Sequence, residues 1–438
     1  MKNPELEGIY RMSKVNQTIS LYEDEIIFAP KTSIIKGYAK FILKFIPPLP
    51  RIHIEAQVNA YINIFGTGIE TEVSFLNVKS TDVYIKLSSG PNPWIIEAII
   101  KKPVLIGSDS GISKVIFHLP NFPDFVGKSD IEIKKKNGTE SRGHVSLSTN
   151  EFIIDVIAVE GLKNKYGSLN YYEHGYIITH IGQVFRKDGN DFSLENFREI
   201  DEIIHYFFSF CVGYFTGPIL PVGLDKKKVQ IWKLWSTGLC SPFISTLSWF
   251  DLNNGQLMEE VFPGFYSLWL NKIWNKSIKT AIYWYLRSNM IEGGVDGAVI
   301  LAQAALELIC YTYFVEDKKI FKYEDFKNKS AKKKIDLLLS DLGIPTDLPP
   351  ILQDLYSLGQ NYSWNGPQAI TEVRNFLVHP GQPKRLKGKI LPLSEVWRLS
   401  LWYIELIFLR LFNHQGYYYE RLKVGRNSGD VIKVPWAK

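Results

Sequence analysis

The hydrophobic pattern of this 438-residue chain changes period, and that change limits the folds open to it. Up to about residue 190, short apolar or alternating runs are separated by Gly, Pro, Asn and Asp. Examples are Ser20–Phe28, Arg51–Ile64, Thr71–Leu76, Asp82–Leu87, Trp94–Ile99, Lys114–Phe117, Asp130–Ile133, Val145–Leu147, Phe152–Ala158 and Tyr176–Val184. Runs of that length, rich in Ile, Val, Tyr and Phe, predict strands. Asn137-Gly138 and Asp188-Gly189 predict hairpin turns between them. From Leu194 the spacing turns helical: Ile200, Ile203, Ile204, Phe207, Phe208, Cys211 and Tyr214 recur at threes and fours behind Ser193 as N-cap. This helix, near 194–215, is expected to cover the sheet. Val229–Trp235 reads as one more strand, and a linker is expected between Gly238 and Gly264.

Beyond residue 260 helical spacing prevails, with helices expected at Phe265–Met290, Asp296–Val315, Ala331–Leu342, Leu352–Leu358, Pro367–Val378 and Ser394–His414. Prolines punctuate the gaps. The fold class is therefore α+β: a β-rich antiparallel domain over 1–250, an all-α bundle over 260–425 and a tail over 426–438. An apolar share of 45% is enough for a large core.

Several chemistries find no support. Gly66-Thr67-Gly68 runs into more strand pattern, so it is a turn and not a phosphate loop. Lys134-Lys135-Lys136 adjoins a turn and reads as a solvated hairpin end. His53, His118, His144, His174 and His180 do not fall at metal-ligand spacings, and Cys211, Cys240 and Cys310 make neither a disulfide framework nor a metal site. No metal or other cofactor is expected. The N-terminus is polar, and the most apolar stretches are interrupted by Gln303, Glu307, Glu405 and Arg410, so no membrane partner and a cytoplasmic location are expected. A net charge of +6 permits a polyanionic partner without requiring one.

The chemistry gathers in Thr371–Pro380, where Arg374, Asn375 and His379 interrupt an apolar helical run. Asn365 offers an N-cap and Pro367 suits the first helical position. Pro380 pushes the residue before it out of the α region, so His379 closes the helix. A cation at that end is favoured by the helix dipole, and an imidazole ionises near neutral pH. Arg374 brings a forked, permanent cation suited to phosphate. Asn375 and His379 share a face, whereas Arg374 and His379, five apart, point roughly 140° away from each other on an ideal helix. A two-fold pair of chains could join what one chain holds apart.

Arg374-Asn375-Phe376-Leu377-Val378-His379 resembles the HEPN superfamily signature, an Arg followed after four to six residues by His. The ending Asn413–Arg421, with Phe207–Gly217 and Trp232–Trp235, looks like the ApeA abortive-infection proteins, which join a β-rich domain to a HEPN bundle. The resemblance implies a HEPN-like bundle, a homodimer with the site at its interface, and metal-independent endoribonuclease activity of an anti-phage or toxin-like effector. Arg374, Asn375 and His379 would be catalytic on an RNA substrate, leaving 2′,3′-cyclic phosphate ends. Glu307 and Gln303, four apart on an apolar helix, would support them, with Arg374 the natural partner of Glu307. Lys384, Arg385, Lys387 and Lys389 would hold the RNA backbone. The N-terminal domain would sense a trigger ligand or protein. The competing reading is a non-catalytic dimerising sensor or adaptor that binds a nucleotide or protein partner.

Overall fold

A computed structural model describes residues 8–29, 35–45, 49–58, 69–75, 78–89, 93–135, 138–163, 167, 175–379, 386, 390–423, 425 and 429–437. The first layer is a closed antiparallel barrel in the order β1-β2-β3-β6-β5-β4. Its strands are β1 (Ile19–Ala29), β2 (Ile35–Lys44), β3 (Arg51–Val58), β4 (Ile69–Phe75), β5 (Val78–Ser89) and β6 (Trp94–Ile100). Alternation sets its inside: on β3, Ile52, Ile54, Ala56 and Val58 are buried while Arg51 and Gln57 face water.

The second layer is a seven-stranded antiparallel sheet of order β11-β12-β13-β8-β14-β15-β7. It comprises β7 (Val104–Gly107), β8 (Lys114–Pro120), β11 (His144–Ser148), β12 (Phe152–Ala158), β13 (Ile178–Arg186), β14 (Ile219–Leu224) and β15 (Gln230–Trp235), with the ribbon β9 (Ile131–Lys135)–β10 (Gly138–Arg142) beside it. This sheet lies between two cores. On β8, Val115, Phe117 and Leu119 join the core shared with the helices, while Ile116 joins the core shared with the barrel. Its inner strands β8, β12, β13 and β14 are therefore buried along nearly their whole length, because neither face meets water there. Gly182 on β13 sits over the Phe117 ring; a methyl there would approach the ring to 2.0 Å.

Helix α1 (Leu194–Val212) starts with Ser193 and Asn196 in a reciprocal cap and ends at Gly213 in the left-handed region. It covers the sheet as expected. Every residue from Phe207 to Val212 is buried, because the bundle covers its other side. The bundle holds α2 (Gln256–Leu270), α3 (Asn275–Asn289), α4 (Gly294–Tyr311), α5 (Tyr323–Lys327), α6 (Ala331–Asp341), α7 (Gln353–Tyr362), α8 (Gly366–Val378) and α9 (Leu393–Leu411). A π-helical stretch, Thr312–Asp317, extends α4. A short hairpin, β16 (Tyr417–Tyr419) and β17 (Val431–Lys433), closes the chain.

Four expectations need correction. The single helix over Phe265–Met290 is two, α2 and α3, broken where the Asn271 side chain accepts from the Ile273 N–H and the Asn275 side chain donates to the Trp269 carbonyl. The turn at Asp188-Gly189 leads into α1, not into a returning strand; Asp188 accepts from the Asn190 N–H and is gripped by Arg186. Residues 426–438, expected as a tail, contain β17. Finally, α4 with its extension to Asp317 is long and apolar enough to cross a membrane by length and composition, and it is packed inside the bundle.

Candidate functional site at the end of α8

Helix α8 is fixed at both ends by local chemistry. The Asn365 side chain accepts from the Gln368 N–H at 3.0 Å and donates to Asp336 on α6 at 2.9 Å. Gly366 allows close contact with α9, since a Cβ there would lie 2.1 Å from the Tyr403 hydroxyl. Pro367 occupies the first turn. The helix stops at Val378. His379, with φ −128° and ψ 79°, keeps the last helical bond to the Asn375 carbonyl at 2.9 Å while leaving helical geometry. Its side chain is exposed, and among the described residues it makes no side-chain hydrogen bond.

Arg374 is half-buried. Its Nη1 donates to Asn375 Oδ1 at 3.4 Å, a long contact, and its Nε is shut off from solvent with no partner. The guanidinium is thus only partly satisfied by its own chain. No hydrogen bond joins Arg374 to His379 within one chain. Phe376 and Leu377, between them, are only partly covered by the core.

On α4, which packs against α8, Gln303 Nε2 donates to Glu307 Oε1 at 2.9 Å. Gln303 is 1% exposed and its Oε1 has no partner. Glu307 is half-buried. The pairing of Glu307 with Arg374 expected from sequence is not formed: the hydrogen-bond partner of Glu307 is Gln303, and that of Arg374 is Asn375. Lys384, Arg385, Lys387 and Lys389 lie outside the described residues, as does His174. Among the described residues no group of three His, Cys, Asp or Glu could hold a metal.

Sequence reasoning missed a second polar cluster, deeper in the bundle. Glu405 on α9, Tyr285 on α3 and Arg421 after β16 are each fully buried. The Tyr285 hydroxyl donates to Glu405 Oε1 at 2.6 Å, and Arg421 Nε donates to the same oxygen at 3.1 Å. Arg421 Nη2 also contacts that oxygen and reaches the Leu247 carbonyl, in the segment entering the bundle. Burial drives the Tyr285 phenol well above its ordinary pKa. Burial opposes the charge on Arg421, but the facing Glu405 and Tyr285 outweigh it and hold the guanidinium charged. Asn289 on α3 adds to this seam, donating to the Gly213 carbonyl at 2.8 Å and the Leu247 carbonyl at 3.0 Å. The available signal was Glu405 in the middle of Leu401–Leu409, where a carboxylate on a fully apolar helix needs a cation.

The class this defines is an α+β protein in which a barrel and a doubly covered sheet are followed by a helical bundle carrying an Arg-Asn-His helix end. The chain matches the YopA central domain over residues 107–246, the sheet with α1, and the YopA C-terminal domain over residues 271–433, most of the bundle. It is also similar to the SPbeta prophage-derived uncharacterized protein YopA of Bacillus subtilis (strain 168), with 23% identity over 444 residues that take in 100% of this chain and 99% of that protein. No solved structure matches.

Proposed function

We propose that the chain is a metal-independent endoribonuclease of HEPN type, acting as a homodimer in the cytoplasm as an anti-phage or toxin-like effector. The observation that carries this reading is the end of α8. There an exposed imidazole and a half-buried guanidinium with an unpartnered Nε lie within six residues, on a helix whose two ends are locally fixed. His379 would act as general acid–base for attack of the RNA 2′-OH on the adjacent phosphodiester. Arg374 would stabilise the extra charge on the phosphorane-like transition state, and Asn375 would orient the phosphate or the imidazole. Within one chain Arg374 and His379 are not hydrogen-bonded, so the reading pairs the motifs of two chains. The Gln303–Glu307 pair on α4 would serve as support behind them.

Only RNA carries the nucleophile, so DNA of the same sequence should resist. The experiment offers purified protein single-stranded RNA and matched DNA, with and without His379→Ala and Arg374→Ala. RNA cleavage lost by a factor of about 10²–10⁴ in either variant supports the reading. Equal cleavage by wild type and His379→Ala contradicts it. Absence of cleavage together with nucleotide or protein binding through the same residues would favour the non-catalytic sensor.

A further inference from the structure

Between the π-helical stretch that ends α4 and the middle of α6, the chain turns basic. Residues 316–336 hold eight lysines and five carboxylates, a surplus that is half the net charge of +6 carried by all 438 residues. Ion pairs settle part of it: Lys318 with Asp317, Lys327 with Glu324, and Lys333 with Asp336. Lys319, Lys322, Lys329, Lys332 and Lys334 have no ion-pair partner among the described residues, and of the carboxylates in this stretch only Glu316 and Asp325 remain to face them. Lys319 and Lys322 are exposed.

Aromatic rings hold two of these unpaired head groups. Lys329 Nζ lies 4.5 Å from the centre of the Phe321 ring, and Lys334 Nζ lies 5.0 Å from that of Phe326. A ring fixes an ammonium without cancelling its charge, so the group still attracts an anion. Tyr323 on α5 is 56% exposed. Tyr311 meets it edge-on with ring centroids 6.2 Å apart, and Lys327 lies over it at 5.6 Å, which together fix its plane. Uncompensated cations around an exposed ring suit a single nucleic-acid strand: phosphates take the ammonium groups and a base stacks on the ring. A duplex keeps its bases in its own stack and has none to offer the ring.

The face also runs towards the candidate site. Lys332 Nζ donates to Gln368 Oε1 at 2.6 Å, and Asn365 donates to Asp336 at 2.9 Å. As α6 runs forward from 332 to 336, α8 runs back from 368 to 365, so the two helices are antiparallel. The lysines that precede α6 therefore lie towards the end of α8 that carries Arg374. Lys334 also faces α4: burial raises the Cys310 thiol, Glu307 raises it further and Lys334 lowers it, so Lys334 and Glu307 act on the same group.

We propose that the lysine face from Lys318 to Lys334 is the surface on which a single RNA strand docks before it reaches the end of α8. The choice of RNA rests on the ribonuclease reading; the docking of a single-stranded polyanion does not. The test follows the fluorescence anisotropy of a labelled oligonucleotide of about 20 nucleotides, single-stranded or in a duplex, titrated with the full chain between about 50 and 200 mM salt. The oligonucleotide is 2′-O-methylated throughout, so it carries no nucleophile and is not cut. Lys319→Gln combined with Lys322→Gln, and separately Tyr323→Ala, change exposed side chains and are expected to leave the melting temperature unaltered. Lys227→Gln combined with Lys228→Gln, exposed on the turn between β14 and β15, controls for charge alone. The expected result is saturable binding of the single strand, with the duplex held at least about fivefold more weakly. The lysine pair should make the salt dependence shallower by about 1.4 in log–log slope, from about 0.7 for each lost phosphate contact. Tyr323→Ala should bind about fivefold more weakly or worse, and the control pair should bind as wild type does. No saturable binding at the lower salt, equal weakening in the control pair, or single strand and duplex held alike with Tyr323→Ala silent would overturn the proposal. Docking that persists while ordinary RNA is left uncut contradicts the ribonuclease reading alone. Cleavage whose KM is unchanged by the lysine pair contradicts this surface alone.

Discussion

Gln303 and Arg374 each hold a polar atom that the fold buries without a partner. Such atoms cost stability. Gln303→Met keeps the volume and removes the orphan oxygen. It is expected to melt no lower than wild type while cleaving RNA more slowly, which a thermal melt and a cleavage assay on the same preparation would check. Arg421 carries a buried ion pair with Glu405 instead. Arg421→Met leaves Glu405 charged and buried with only Tyr285 to hold it, and a destabilisation of about 3–5 kcal/mol is expected in denaturant melts. At this scale the sequence was partly legible. Arg374, Asn375 and His379 stood out because polar residues interrupted an apolar helix. Whether Gln303 met water was not readable, because a helix covered by α3, α6, α8 and α9 has no polar face to give it away.

Among elements, the helices were read mainly from helical spacing, and caps marked α1 and α8. Asn365 and Pro367 marked the start of α8, and Pro380 marked its end. The strands β2, β7, β10, β14, β16 and β17 were missed. In β14, Pro221 and Gly223 mimic turn signals, and burial on both faces erases the alternation by which an exposed sheet is recognised. Gly366→Ala would push α8 off the Tyr403 hydroxyl. A loss of about 1–3 kcal/mol is expected in unfolding experiments, with slower RNA cleavage because the helix carrying Arg374 shifts. The sheet makes a pH prediction. Burial pushes the imidazoles of His118 and His180 down to about 4 and about 3, from an ordinary value near 6.5. Below pH 6.5 the unfolded chain takes up protons that the folded sheet refuses. The contribution is therefore intact at neutral pH and is lost as the pH falls from 6.5 towards 4. Melting temperatures between pH 7.5 and 4.5 should fall, and His118→Gln should flatten part of that slope.

The whole molecule was legible as a class and not as an assembly. The change of hydrophobic period marked where strands give way to helices, which is why α+β could be read. Barrel closure could not, since it depends on Ile27–Ala29 of β1 pairing with Glu72–Ser74 of β4, far apart in the chain. The division of the first 250 residues into a barrel and a separate sheet was equally hidden, because both are antiparallel and both are apolar inside. The same limit applies to the proposed site. One chain keeps Arg374 and His379 unbonded, and the proposed ribonuclease pairs the motifs of two chains to complete it. The proposed ribonuclease chemistry is tested most directly by the cut ends. RNA incubated with the purified protein should yield fragments ending in 2′,3′-cyclic phosphate and 5′-hydroxyl, and none when His379→Ala replaces the wild type. Fragments with 3′-hydroxyl ends, or the same fragments from His379→Ala, would contradict it.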